Sequence, residues 1–315
     1  MMVLRSPLFV PGNSMRMINK AATLPADAIV LDLEDSVPLP DKETARVMSR
    51  DTIRVIKSTG AHVFVRVNAL TTGLTAEDIQ SVAVEGLDGI VLAKAETKSD
   101  IVKSGRMLEK AEKNRGIAPG SLKIIPLVET AKGVINAYEI ASASERIVAV
   151  GFGAGDYYRD LGRSTSSLSP EQTELLFARS QTVIASQAAG VQALDTVFFG
   201  LLTDMDSFVK EATLAFKLGF KGKLLIHPTQ IEITNRIFSP SPEEVAYAGK
   251  VVAAFEEAQT KGLGAVSLEG KMIDYMTYRQ AKDLVALAQT IADKEEKRRK
   301  QASSVSLSQF FASSP

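Results

Sequence analysis

KIIPLVE (residues 123–129) and RIVAVGFGAGD (residues 146–156) are two apolar runs, each closed by a single carboxylate, Glu129 and Asp156. A short continuous apolar run bounded by turn residues reads as a buried parallel strand, and TAKGVINAYEIASAS between them has apolar residues at helical spacing. The three segments make a β-α-β unit. Parallel strands joined by one helix point the same way, so both carboxylates are expected at the carboxyl edge of one sheet, facing a common crevice. Two hard oxygen ligands there suit Mg²⁺, which takes one or two protein carboxylates and leaves its other positions to water and substrate. As a bare pattern, the same two residues serve equally well as caps of the segments that follow them.

Working outward, further apolar segments repeat the arrangement. SPLFVPGN is a short strand ending in a Pro-Gly turn, and SMRMINKAATL follows as a helix behind Ser14. Arg16 and Lys20 on that helix are either anion contacts or solvated basic residues. ADAIVLDLEDSV is a buried strand running into Asp32, Glu34 and Asp35. Three carboxylates so close either face water or orient cations and metal-bound waters. AHVFVRVNAL delivers Arg66 and Asn68 to the same edge, and an arginine ending a buried strand needs a carboxylate partner, in the protein or on a substrate. DGIVLAKAE ends at Lys94, which is a Schiff-base nucleophile, a charge partner or a solvated end. ALDTVFFG, with Asp204 and Asp206 after it, and KGKLLIHP, ending in His227, complete eight strands; His62 lies at the opposite end of its strand. YYRDLGRSTSSLSPEQ, after Asp156, reads as an exposed loop.

Eight strands with largely helical segments between them predict a TIM (β/α)8 barrel. In such a barrel Asp32, Glu34, Asp35, Arg66, Asn68, Lys94, Glu129, Asp156 and His227 all ring one mouth, where the chemistry of this architecture sits. The division expected is a barrel over residues 1–235, a C-terminal extension over 236–300 and a disordered tail over 301–315. The extension has a helix behind Ser241, a β-hairpin bent at Gly264 and Gly270 that ends at Asp274, and a last helix that turns wholly charged and frays near Asp293.

Composition narrows the function classes. The chain has 315 residues, 45% of them apolar, enough for a sizeable core. Lys plus Arg equals Asp plus Glu at 37 each, which argues against a broad nucleic-acid surface. No cysteine is present, so disulfides, thiolate metal sites and a cysteine nucleophile are excluded. The first residues contain neither a secretory apolar core nor a membrane span, and a cytoplasmic location is expected.

LFVPGNS, IVLDLEDSV, FVRVN, LVET, GAGDYYRDLG, LLIHPTQI and AVSLEGKMID occur in an order that resembles the citrate lyase β-subunit-like branch of the HpcH/HpaI aldolase superfamily, a branch that includes malyl-CoA and citramalyl-CoA lyases. The resemblance covers residues 5 to 290. It implies a barrel that binds Mg²⁺, with Mn²⁺ as an alternative ion, through Glu129 of LVET and Asp156 of GAGD. It implies that Arg66 contacts the thioester or enolate oxygen while Glu34 and Asp35 support that arginine and the metal waters. CoA phosphates are expected near Arg16 and Lys20. The C-terminal hairpin and helix are expected to act as a lid, with Asp274 reaching a neighbouring subunit's site in a homotrimer. Many relatives read GAED or GGED where this chain has Gly155 before Asp156, which leaves the adjoining oxo-acid pocket open.

The activity so implied is reversible Claisen-type cleavage of citramalyl-CoA or malyl-CoA to acetyl-CoA plus pyruvate or glyoxylate. The partners are then an acyl-CoA and a 2-oxo acid, with neither membrane nor nucleic acid. The nearest rival is a citrate lyase β subunit acting on citryl groups held by an acyl carrier protein. Rivals of another class are an inactive barrel and a protein that contacts a sliding clamp through residues 304–311 of its tail.

Overall fold

The structure, a computed structural model, describes residues 2–169 and 171–304. The clamp-like pattern beyond Ser304, and with it residues 305–315, lies outside the described residues.

Eight parallel strands follow one another around the barrel in chain order: β1 Pro7–Pro11, β2 Ala28–Asp32, β3 His62–Val67, β4 Gly89–Leu92, β5 Lys123–Val128, β6 Ala149–Phe152, β7 Gln192–Asp195 and β8 Gly222–Lys223. Main-chain bonds from Phe9 to Leu225 and from Leu225 to Pro7, each 2.8 Å, join the last strand to the first. Helices α1 Met15–Ala22, α2 Lys42–Ser58, α3 Thr75–Val82 and α4 Lys98–Arg115 follow the first four strands. The crossover after β5 is two short helices, α5 Ala131–Ile135 and α6 Ala137–Ala141, where the sequence suggested one. Then come α7 Ala154–Asp160, α8 Leu176–Ala188, α9 Met205–Leu218 and α10 Ile231–Ile237. This is the TIM barrel expected from the alternation of apolar runs and helical segments.

Successive residues of a strand point to opposite sides of the sheet, and that period of two sorts the core. Ile29, Leu31, Val63 and Val65 pack outward against the helices. Ala28, Val30, Phe64, Val91, Ile125 and Leu127 fill the barrel interior. Continuing the inward series by one step along β2, β3 and β5 gives Asp32, Arg66 and Glu129. The same alternation that fills the core therefore lifts these three side chains to the top of it.

Beyond the barrel, α11 Pro242–Thr260, a hairpin of β9 Val266–Leu268 and β10 Lys271–Ile273, and α12 Tyr275–Ser304 have an apolar cluster of their own around Val251, Phe255, Ile273 and Tyr278. The hairpin turns at Glu269 and Gly270, both with positive φ, while Gly264 precedes β9. The last helix does not fray at Asp293. It runs to Ser304 because its charged end docks under the barrel. Lys294 donates to the Val3 carbonyl at 2.8 Å and pairs with Asp27 at 3.1 Å, Glu295 pairs with Arg5 at 3.0 Å, and Arg298 reaches the carbonyls of Leu24 and Ala26. Among the described residues no helix is long and apolar enough to cross a membrane.

Candidate active site

Arg66 anchors the mouth. Its Nε and Nη2 donate to the two oxygens of Asp32, each at 2.6 Å, and Nη1 lies 3.2 Å from Glu34 and 3.9 Å from Asp35. The sequence had offered Glu34 and Asp35 as its partners. Asp32 is the bidentate one, because β2 and β3 pair in register with Asp32 opposite Arg66. Asp32 also accepts from the main-chain N–H groups of Glu34 and Ser36 and from the Ser36 hydroxyl, which fixes the loop after β2. The Arg66 guanidinium lies 4.8 Å from the centre of the Phe9 ring, which shields it from water on one side.

Glu129 is 4% exposed at the top of β5. Burial pushes its carboxyl up to about 8, against the opposing charges of Arg66 and Lys94 and with help from those of Asp156 and Glu34. Gly153 makes room for it: a Cβ there would stand 2.4 Å from a Glu129 carboxylate oxygen. Asp156 is not at a strand end as the sequence suggested. β6 stops at Phe152, and Asp156 sits in the first turn of α7, a helix within the segment expected to be a loop. The turn is held by the Ala154 N–H donating to the Thr196 hydroxyl at 3.0 Å. Gly155 faces Phe199, whose ring would be 3.3 Å from any Cβ added there, so an aromatic wall stands over this position.

Lys94 is a charge partner. Its ammonium lies 2.5 Å from Glu34, 3.3 Å from Asp156 and 3.8 Å from Asp35. Burial works against its charge, but the hydrogen bond it donates to Glu34 and the surrounding carboxylates outweigh this and raise its pKa, which disfavours a Schiff-base nucleophile.

Glu129, Asp156, Arg66 and Asp35 share one cavity of about 570 Å³, walled by Phe9, Phe152, Phe199 and Leu224 and rimmed by Arg159, Arg163 and Thr165. Among the described residues no three acidic or histidine side chains form a closed metal cage. A hard divalent ion that keeps most of its waters needs only a carboxylate pair, and two carboxylates lining one cavity, one of them buried, offer such an ion its oxygen ligands. Glu129 and Asp156 therefore fit Mg²⁺ as candidate ligands.

Other residues singled out in the sequence stand apart. Asn68 is buried, bonded to Asp78 at 2.7 Å and accepting from Lys42 at 2.8 Å, and it pins the loop after β2. His227 caps the turn after β8 through Thr229, and Asp204 caps α9. Arg16 and Lys20 are exposed on α1, outside the cavity lining. Asp274 is likewise outside it; it accepts from the Thr277 N–H and hydroxyl, bonds that hold its carboxyl below the usual range. Lys42, Asp78, Thr196 and Phe199 were not picked out in the sequence, since no strand-end pattern marks them.

The chain's relatives bear on this geometry. It is 39% identical over 292 residues to citrate lyase subunit beta of Escherichia coli K12, covering 93% of this chain and 95% of that protein. Human mitochondrial citramalyl-CoA lyase is 32% identical over 300 residues, 92% of this chain and 87% of that one. A solved structure of CitE from Mycobacterium tuberculosis, in complex with magnesium, acetoacetate and coenzyme A, superposes with a TM-score of 0.70 at 31% identity, covering 90% of this chain and 98% of that one. The profile of the HpcH/HpaI aldolase/citrate lyase family matches residues 5–228, and the chain belongs to that family, within its citrate lyase β-like branch of carbon–carbon lyases.

Proposed function

We propose that this protein is a Mg²⁺-dependent lyase that cleaves a 3-hydroxyacyl-CoA, citramalyl-CoA or malyl-CoA, reversibly into acetyl-CoA and pyruvate or glyoxylate. The observation that carries the reading is the cavity in which Arg66, oriented by Asp32 and Glu34, faces the Glu129–Asp156 carboxylate pair. Bound there, Mg²⁺ would supply a Lewis acid for the oxygen of the oxo acid. Cleavage takes the proton from the C3 hydroxyl, breaks the bond between C2 and C3, and leaves the electron pair on the thioester as an enolate. Arg66 places a guanidinium where that negative charge develops, an interaction worth about 3 kcal/mol for one oxyanion donor. Phe9, Phe152 and Phe199 keep the surroundings apolar, which strengthens the charge interaction.

The enolate must then be protonated, and Asp274 is the proposed acid, delivered from a second subunit; the mouth it closes would exclude water and raise the carboxyl that the Thr277 bonds hold low in the single chain. Two features support this. Asp274 lies about 30 Å along α12 from Lys294, which is anchored under its own barrel at the end opposite the mouth. Met272, Tyr275 and Met276 beside it are 73%, 54% and 64% exposed, an apolar tip suited to burial against another copy. A homotrimer in the cytoplasm is the assembly proposed. CoA is placed by proposal along α1, with Arg16 and Lys20 as phosphate contacts and Mn²⁺ as a substitute metal.

A second reading, cleavage of citryl-acyl carrier protein to oxaloacetate, is favoured by the 39% identity to the E. coli citrate lyase subunit. Turnover of free citramalyl-CoA, malyl-CoA and carrier-bound citryl thioester, with Mg²⁺ and without, separates the two. Turnover of a free CoA thioester supports the first reading, and turnover only of the carrier-bound one rejects it.

A further inference from the structure

Lys94 touches four of the five carboxylates at the mouth, all but Asp32, yet the chemistry above gives it no task. Its ammonium pairs with Glu34, Asp35 and Asp156 at 2.5, 3.8 and 3.3 Å, while its own main-chain N–H donates to Glu129 at 2.6 Å. The second contact depends on an uncommon backbone. Lys94 has φ +51°, a left-handed conformation that a lysine adopts only under constraint. That conformation turns the N–H to one candidate ligand while the side chain reaches the other.

Asp156 is thereby held at both oxygens, Oδ2 by Lys94 and Oδ1 by Arg159 at 2.5 Å. The two cations differ in screening. The Lys94 side chain is 26% exposed and the Arg159 side chain 74%. An ion that takes Asp156 as a ligand must displace or approach the ammonium, and two positive charges at such range in a half-buried site repel strongly.

We propose that Lys94 is an internal competitor for the divalent cation, a positioning residue whose main-chain N–H holds Glu129 while its ammonium occupies Asp156 and so sets the affinity of the carboxylate pair for Mg²⁺. Binding moves the ammonium off Asp156 onto Glu34 and Asp35, which it already touches, so one lysine exchanges partners within a single acidic cluster. This rests on the metal site proposed above. It follows that a neutral residue at position 94 makes the site more hungry for Mg²⁺ and the protein less stable without it.

The test is calorimetric titration with MgCl₂ alone, at fixed ionic strength, of wild type, Lys94→Gln, Lys94→Asn and Arg159→Gln, alongside melting curves in EDTA. Asparagine is included because it accepts a left-handed backbone readily. Both Lys94 variants are expected to bind Mg²⁺ about tenfold more tightly and to melt lower in EDTA, whereas exposed Arg159→Gln shifts the Kd less than about threefold. An unchanged or weaker Kd in folded Lys94 variants overturns the proposal. So does failure of both to fold, since the task of Lys94 would then be the fold itself. If folded wild type binds no Mg²⁺, the metal reading falls, and this inference with it; if wild type binds and the variants match it, only the inference falls.

Discussion

Two ion clusters lie within the same barrel and solve opposite problems. Between β7 and β8 and the helices α8 and α9, Arg179 grips Asp195 with two 2.9 Å bonds, and Lys223 bonds Asp195 at 2.8 Å, Glu211 at 2.5 Å and the Thr196 carbonyl at 2.8 Å. Arg179, Asp195 and Lys223 are fully buried, and the two cations meet two carboxylates. At the mouth, Arg66 and Lys94 face Asp32, Glu34, Asp35, Glu129 and Asp156, with Arg159 adding a cation only at the exposed rim. Buried charge is tolerated when it is paired. The balanced cluster is closed and holds the barrel's last strands. The acid-rich one opens into the cavity, and its surplus of carboxylate is what a divalent cation would neutralise.

On that contrast, removing a carboxylate that faces the cavity should destroy function and spare the fold, and removing one from the closed cluster should do the reverse. Glu129→Gln and Asp156→Asn should each abolish Mg²⁺-dependent cleavage while melting close to wild type; wild-type turnover in either would erase the contrast. Asp195→Ala strands the buried Arg179 and leaves Lys223 with Glu211 as its one carboxylate, and should cost about 3–5 kcal/mol in urea unfolding, with the Mg²⁺ affinity of the folded protein unchanged. A loss below about 1 kcal/mol would show that the closed cluster does not hold the barrel. Arg66→Gln should lower kcat by about 10²–10³ while Mg²⁺ still binds. Asp274→Asn should lower turnover by about 10²-fold and leave CoA affinity alone; an unchanged rate removes the neighbouring-subunit acid.

The smallest expected effect concerns a third cluster, under the barrel. Burial lowers the Lys294 ammonium to about 8, against the pull of Asp27. Unfolded, it holds its proton to about 10.5, so between these values the unfolded chain binds more protons and stability rises with pH. The stability advantage of wild type over Lys294→Met should therefore grow from pH 8 to 10.5, read by denaturant unfolding at each pH. A flat difference would mean that Lys294 stays charged through Asp27.

Much of the mouth was legible because strand ends are local signals. Glu129 closes an apolar run, and Arg66 interrupts one. Asp156 was legible as a residue but not as a conformation, since whether GAGD ends a strand or opens a helix depends on Thr196, which arrives from β7. The choice of Asp32 over Glu34 as the main partner of Arg66 is a matter of register between β2 and β3. The charged end of α12 read as fraying because its partners, Val3, Asp27 and Arg5, stand nearly the whole chain away.

The sequence by itself determined the alternation of apolar runs and helices, and so the barrel, together with the set of carboxylates at its mouth; both follow from residue type and short-range spacing. Only the tertiary structure decided how those carboxylates are shared: Asp32 to Arg66, Glu34 to Lys94, Glu129 and Asp156 toward the cavity. Pairing energy depends on distance and on exclusion of water, and neither exists until distant strands close around a common axis.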